Sequence, residues 1–326
     1  MKRRDLLLNA AALAGVSLSG ETLGQPAGNW PTRPIRLILP FAVGGPTDVA
    51  ARLIAVALGE QLGQPLVIEN RPGAGGIIAT ESVIRSAPDG YTLLYHTAGL
   101  PASAAVYRNL RFDPRKDVIP VGMFVRLPAV LVASLSVPAT DPKQFFAYLK
   151  TNPGKMSYGS GGVGNGSHVQ MEYILRMTGS QATHVAYKGN GPAMLDLVKG
   201  EVQFMIDGLS TALPYIRDKR VRAIATMSTS REALLPDVPT LDESALPGYS
   251  NSGWNGLFAP PGTPAAIVQK LNAAINATLA QAAVKQQLER FGLGPWPMST
   301  DEFAAHYARE LDQNVKVARE ANISLD

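Results

Sequence analysis

The chain has 326 residues and no cysteine, with 46% hydrophobic and 17% charged residues and 30 Lys plus Arg against 26 Asp plus Glu. Disulfide scaffolds, zinc ribbons and thiol catalysis are thereby excluded, and the apolar content excludes a disordered chain. A net charge of +4, with no basic run and no aromatic-interleaved basic stripe, argues against nucleic-acid binding, while the length suits two domains of about 150 residues each.

Lys2, Arg3 and Arg4 precede an uncharged stretch from Leu6 to Leu18, which gives way to small and polar residues from Ser19 onward. That is the pattern of a secretory signal peptide, here residues 1–24, and the apolar run is shorter than the roughly 20 residues of a membrane span. Arg3-Arg4-Asp5-Leu6-Leu7 also resembles a twin-arginine export signal. Cleavage near Gly24 removes three basic and two acidic residues, leaving 27 minus 24, or +3. With no cysteine near the cleavage site for a lipid anchor, a soluble periplasmic protein is expected.

Short apolar runs then alternate with helical patterns: Ile35–Leu39, a helix over Val49–Leu62, Leu66–Glu69, a helix over Ile77–Ser86, and Thr92–His96. Val130–Ser134 reads as a further strand. A second series repeats the first, with Met156–Tyr158, a helix over Ser167–Met177, Thr183–Tyr187, a helix from Pro192 to Val198, and Val202–Ile206. Such alternation predicts βαβ units in parallel sheets. Two amphipathic helices close the chain. One runs from Pro264 to about Arg290, and the other opens on a capping box formed by Ser299 and Glu302 and carries Phe303, Tyr307 and Leu311 on one face.

Ligands of such sheets bind beyond the carboxyl ends of the strands, which directs attention to two glycine-rich loops. The first, Pro40-Phe41-Ala42-Val43-Gly44-Gly45-Pro46-Thr47-Asp48, feeds from strand into helix, where glycines admit close backbone approach and the helix start favours an anion. A tight turn capped by Thr47 or Asp48 is the alternative. Asp48 competes with an anion for the helix dipole and would otherwise receive a ligand ammonium or hydroxyl. The second loop runs from Ser157 to His168, and Gly159 to Gly164 matches G-x-G-x-x-G. No acidic residue stands about 20 positions on, as a dinucleotide site requires, and no Gly-Lys-Ser or Gly-Lys-Thr marks a P-loop.

Catalytic signatures are absent. No serine sits in a nucleophile elbow, no H-E-x-x-H occurs, and His96, His168, His184 and His306 share no metal-ligand spacing. His168, at a helix start, is read as a packing residue with ligand contact as the alternative, and His306 as part of the last helix face.

In order and with their flanks, these segments resemble the Bordetella uptake gene family, the periplasmic solute-binding receptors of tripartite tricarboxylate transporters. The supporting segments include Gly44-Gly45-Pro46-Thr47-Asp48, Glu69 to Gly76, Phe112 to Asp117, Ser160 to His168, His184 to Gly189, Leu235 to Thr240 and Pro260 to Pro264. The resemblance runs from Trp30 to the C-terminus. It implies an α/β, two-lobed flytrap fold of type II, each lobe a mainly parallel sheet flanked by helices. Lobe 1 would comprise 30–128 plus 254–326 and lobe 2 residues 129–253, with crossovers near Arg126 to Val130 and Tyr249 to Trp254.

The same resemblance implies that Phe41, Gly44, Gly45, Thr47 and Asp48 line one cleft wall, facing Ser160, Gly164, Asn165 and Ser167, to hold a small carboxylate ligand. Asp207 matches a family acid and would bind an amine or hydroxyl, or else cap the next turn. No Arg or Lys is placed in the cleft, Arg71 and Lys188 being assigned to turns. Ala42-Val43, Ser103-Ala104, Val202-Gln203 and Asn165 depart from the usual family residues and bear on specificity. The implied protein is a monomer without cofactor, metal or catalysis that hands its ligand to membrane permease subunits. An extracytoplasmic sensor for a membrane kinase is the alternative, ahead of a periplasmic enzyme.

Overall fold

The computed structural model describes residues 29–320 except Ser250 and Ser252, so the expected signal peptide lies outside the described residues, as does part of the expected second crossover. In chain order the elements are β1 (Ile35–Leu39), α1 (Pro46–Leu62), β2 (Leu66–Asn70), α2 (Ile77–Ile84), β3 (Thr92–Thr97), α3 (Gly99–Val106), β4 (Ile119–Leu127) and β5 (Ala129–Ala133). They continue with α4 (Pro142–Thr151), β6 (Ser157–Ser160), α5 (Gly166–Thr178), β7 (Thr183–Ala186), α6 (Asn190–Lys199), β8 (Phe204–Gly208), α7 (Leu209–Arg217) and β9 (Arg222–Thr226). The chain finishes with α8 (Leu241–Ser244), β10 (Gly253–Ala259), α9 (Ala265–Ala280), α10 (Ala282–Arg290), β11 (Gly294–Pro295) and α11 (Thr300–Glu320).

Two sheets result, ordered β11-β4-β10-β3-β1-β2 and β7-β6-β8-β5-β9. Each is mixed rather than mainly parallel. β1, β2 and β3 pair in parallel, as do β6, β7 and β8, but β10 runs antiparallel to both β3 and β4, and β5 antiparallel to both β8 and β9. The reason lies in how the chain changes sheets. Ala129 at the start of β5 pairs with Gly208 at the end of β8, and Asn255 near the start of β10 pairs with Thr97 at the end of β3. A strand entering from the carboxyl ends of parallel strands has to run against them.

Burial follows the apolar patterns. In α1, Ala50, Ala51, Ile54, Ala55, Leu58 and Leu62 are buried, and Gly63 ends the helix with φ 72°, a conformation glycine adopts without strain. The second sheet is covered on both faces, by Phe145, Leu149, Met171 and Ile174 of α4 and α5 on one and by Met194, Leu197 and Leu213 of α6 and α7 on the other. In the first sheet Ile38, Leu94, Met123, Trp254 and Phe258 pack with Phe303, Tyr307 and Leu311 of α11. Ser299 and Glu302 form the capping box: Ser299 N–H and Oγ donate to Glu302 Oε2 at 2.8 Å, and Glu302 N–H donates to Ser299 Oγ at 3.2 Å. The expected single helix from Pro264 to Arg290 is instead two, because Gln281 adopts extended angles (φ −66°, ψ 129°) between α9 and α10.

Candidate functional site

Between the sheets lies a cleft of about 660 Å³, counting its solvent-open mouth. Its wall is built largely from the starts of five helices. Gly45, Pro46 and Thr47 belong to α1, Gly99 to α3, Asn165, Gly166 and Ser167 to α5, Asn190 to α6, and Gly208 to α7. Each start carries partial positive charge from amide groups that lack intrahelical partners. Two of these starts are capped by side chains: Asn165 Oδ1 accepts from Ser167 N–H of α5 at 2.8 Å, and Thr97 Oγ1 accepts from Gly99 N–H of α3 at 2.9 Å. Among the described residues no Lys, Arg or His lines the cleft. Phe41, Leu127, Ala129, Ile206 and Trp254 add apolar surface, and the Trp254 indole N–H and Gln170 Oε1 are buried in the wall with no hydrogen-bond partner among the described residues.

Six residues expected in the cleft are brought together there: Phe41, Gly45, Thr47, Asn165, Ser167 and Asp207. Gly44, Asp48, Ser160 and Gly164 do not line it: Asp48, Ser160 and Gly164 are buried behind the wall, and Gly44 is exposed. The Asp48 carboxylate is engaged by Arg52 Nε and Nη2, both at 2.9 Å, by Gly44 N–H at 3.1 Å and by Asn70 Nδ2 at 3.1 Å. Burial pushes its carboxyl up, but these donors outweigh burial and hold it below the usual aspartate range. Asn70 Nδ2 also donates to Phe41 O at 2.8 Å, so Asp48 and Asn70 together shape the first loop.

Ser160 is fully buried, with Oγ 2.6 Å from His184 Nε2. Gly164 N–H donates to His168 Nδ1 at 3.1 Å, and the His168 and His184 rings stack with centroids 3.9 Å apart. His168 is thus a packing residue that holds the loop from below. Burial lowers both imidazoles to about 4, and their mutual repulsion adds to this at His184. Neither carries charge near neutral pH.

Asp207 both lines the cleft and bonds the following helix. Asn190 Nδ2 donates to its Oδ1 at 2.9 Å and Thr211 Oγ1 to its Oδ2 at 2.6 Å. Burial raises it to about 6 against those donors. Because Asn190 Nδ2 also donates to Ile206 O at 3.0 Å, the Asn190 amide oxygen is left facing Ser167 Oγ at 3.3 Å.

The residues missed from sequence share a signal. Thr97 and Gly99 follow the carboxyl end of β3, where the strand-end rule places ligands, and Leu127, Ala129, Gly253 and Trp254 fall in the crossover segments. Arg71 is paired with Glu69 at 2.6 Å, and exposed Lys188 contributes its carbonyl to Ala42 N–H at 2.9 Å, so neither basic side chain enters the cleft. Among the described residues there is no cluster able to hold a metal ion, and no helix is long and apolar enough to cross a membrane.

Two α/β lobes joined by crossing strands around a cleft walled with helix starts define a solute-binding receptor. The chain matches the model of the tripartite tricarboxylate transporter family receptors over residues 50–323 and belongs to that family. It is 33% identical to the periplasmic binding protein BugD, whose structure superposes with a TM-score of 0.88 over 90% of this chain and 99% of that one. A Rhodopseudomonas palustris protein solved with adipate is 36% identical, with a TM-score of 0.87 over 91% of this chain and 99% of the other. MatC from the same organism, solved with bound malate, is also 36% identical, with a TM-score of 0.85 over 88% and 99%. The chain is therefore a solute-binding receptor of the Bordetella uptake gene type, in a family of periplasmic binding proteins rather than enzymes.

Proposed function

We propose that this receptor captures a small dicarboxylate between its lobes and delivers it to the membrane permease subunits of a tripartite tricarboxylate-type transporter. The observation that carries the reading is the convergence of five helix starts on a cleft with no basic side chain among the described residues. Backbone dipoles supply positive potential there, each worth about 0.3–1 kcal/mol when exposed and more when water is excluded. The adipate and malate carried by two similar receptors are of this chemical class.

In this reading Phe41, Gly45, Thr47, Asn165 and Ser167 contact the ligand, and Asp207 with Asn190 receives a ligand hydroxyl. Gly44, Asp48, Ser160 and Gly164 act from outside the lining by shaping the two loops. The lobes are 30–128 with 254–326, and 129–253. Residues 1–24 direct export, by a twin-arginine or ordinary signal, and the mature chain acts as a monomer without cofactor.

A thermal-shift screen of the refolded mature protein against mono-, di- and tricarboxylates, amino acids and aromatic acids tests the reading. Ligand at 100 times Kd adds about 2.7 kcal/mol, a rise of several degrees in midpoint. The expected outcome is a shift confined to dicarboxylates. No shift with any anion, from folded protein, removes the proposal.

A further inference from the structure

The cleft is also bridged directly, protein to protein, away from its lining. Ser103 of α3 is fully buried, and its hydroxyl lies 2.7 Å from Gly164 O and 3.1 Å from Gly75 O. Gly164 belongs to the loop after β6 of the second sheet, whereas Gly75 lies in the turn after β2 of the first. Nearby, Tyr107 Oη donates to Val163 O at 3.0 Å. Glycines bring these backbones together: a Cβ on Gly75 would lie 2.9 Å from both Ser103 Oγ and Val163 O, and one on Gly166 would lie 3.5 Å from Gly99 Cα. A further bridge joins Ala42 N–H to Lys188 O at 2.9 Å.

From this geometry we infer that Ser103 is the latch of the closed cleft, a positioning residue that sets affinity for every ligand by a common factor. One hydroxyl proton has two carbonyl acceptors within reach. Its shorter contact reaches the opposite lobe. When the loops separate, Gly164 O leaves and the proton turns to Gly75 O, so opening strands no buried donor and the latch is reversible. Ser103 does not line the cleft, so it has no ligand atom to discriminate. A bond present only in the closed form raises the closed population, and hence the apparent affinity, by the same ratio for all ligands.

This inference presupposes the dicarboxylate reading only in its affinity arm. Since the chain has no cysteine, Val56→Cys and Leu195→Cys, at exposed positions on α1 and α6, give a unique pair for single-molecule energy transfer across the lobes. Titrations with malate and adipate accompany it. Ser103→Ala is expected to lower the closed fraction without ligand and to raise both Kd values by about 3- to 10-fold, leaving their ratio unchanged. Tyr107→Phe, which removes one peripheral hydroxyl, should move both readouts the same way by less, and it covers the case of a misfolded Ser103 variant. An unchanged closed fraction with unchanged Kd overturns the latch, as does a Kd change that differs between ligands. If neither acid binds the wild type while Ser103→Ala still opens the cleft, the dicarboxylate reading fails and the latch stands.

Discussion

Asp48 lies in the first glycine-rich loop, and its carboxylate is engaged by that loop and its neighbours. Its carboxylate takes Arg52, Gly44 N–H and Asn70, so Asp48→Ala should cost about 1–2 kcal/mol in urea denaturation and weaken binding through a loosened first loop. A binding loss with no stability loss would return Asp48 to the cleft. Titration gives a second prediction. His168 and His184, lowered to about 4, leave the folded chain binding fewer protons than the unfolded chain between about pH 6.5 and 4. Their contribution to stability is full above 6.5 and lost as pH falls through 4. Asp207, raised to about 6, has the opposite sign: its contribution is present below about 3.8 and lost as pH rises through 6. Asp207→Asn should therefore steepen the loss of stability between pH 6 and 4 by up to one proton's worth, about 1.4 kcal/mol per pH unit. Urea midpoints across that range decide it, and an unchanged slope would mean Asp207 titrates normally.

At the scale of elements, the closed cleft depends on how near the start of α6 comes to the start of α1. A Cβ on Gly191 would lie 3.1 Å from Gly44 C and 3.2 Å from Gly45 N and Val43 O, backbone atoms that cannot rotate aside. Gly191→Ala should prop the lobes apart, raising Kd at least about tenfold while the ligand-free thermal midpoint moves by no more than a degree or two. A midpoint that falls in step with affinity would place the fault in α6 itself. The strands differ in how plainly they read. β1 is apolar but for the exposed Arg36 and is bounded by Pro34 and Pro40, so its limits follow from the pattern, whereas β10 (Gly-Trp-Asn-Gly-Leu-Phe-Ala) alternates poorly and becomes a strand because β3 and β4 flank it. Gln281 divides α9 from α10 with neither Gly nor Pro to mark the break.

For the whole molecule, strands from early and late in the described chain, β1 to β4 and β10 to β11, build one sheet. Phe303 of α11 is fully buried against Trp254 and Phe258, with centroids 5.5 and 5.3 Å away, and a Cβ on Gly256 would lie 2.4 Å from its ring. Phe303→Ala should cost about 3–5 kcal/mol in equilibrium unfolding, as for a core aromatic. A loss under about 1 kcal/mol would make α11 an appendage. Trp254 joins this core to the cleft wall, so ligand binding should change the intrinsic fluorescence, and Trp254→Phe should abolish most of that change. A full signal in the variant would assign it to Trp30 or Trp296.

The sequence alone determined the two α/β series, both glycine loops, the capping box and the family, because each depends on local periodicity, turn chemistry or contiguous segments. Only the tertiary structure decided that five helix starts share one cleft, that Asp48 and Ser160 stand behind the wall while Asn190 and Thr97 stand in it, and that both sheets are mixed. Those outcomes follow from where β5 and β10 cross between lobes. Strand pairing and side-chain partners distant in sequence leave no mark in the local pattern, and the crossing sets both the sheet direction and which residues line the cleft.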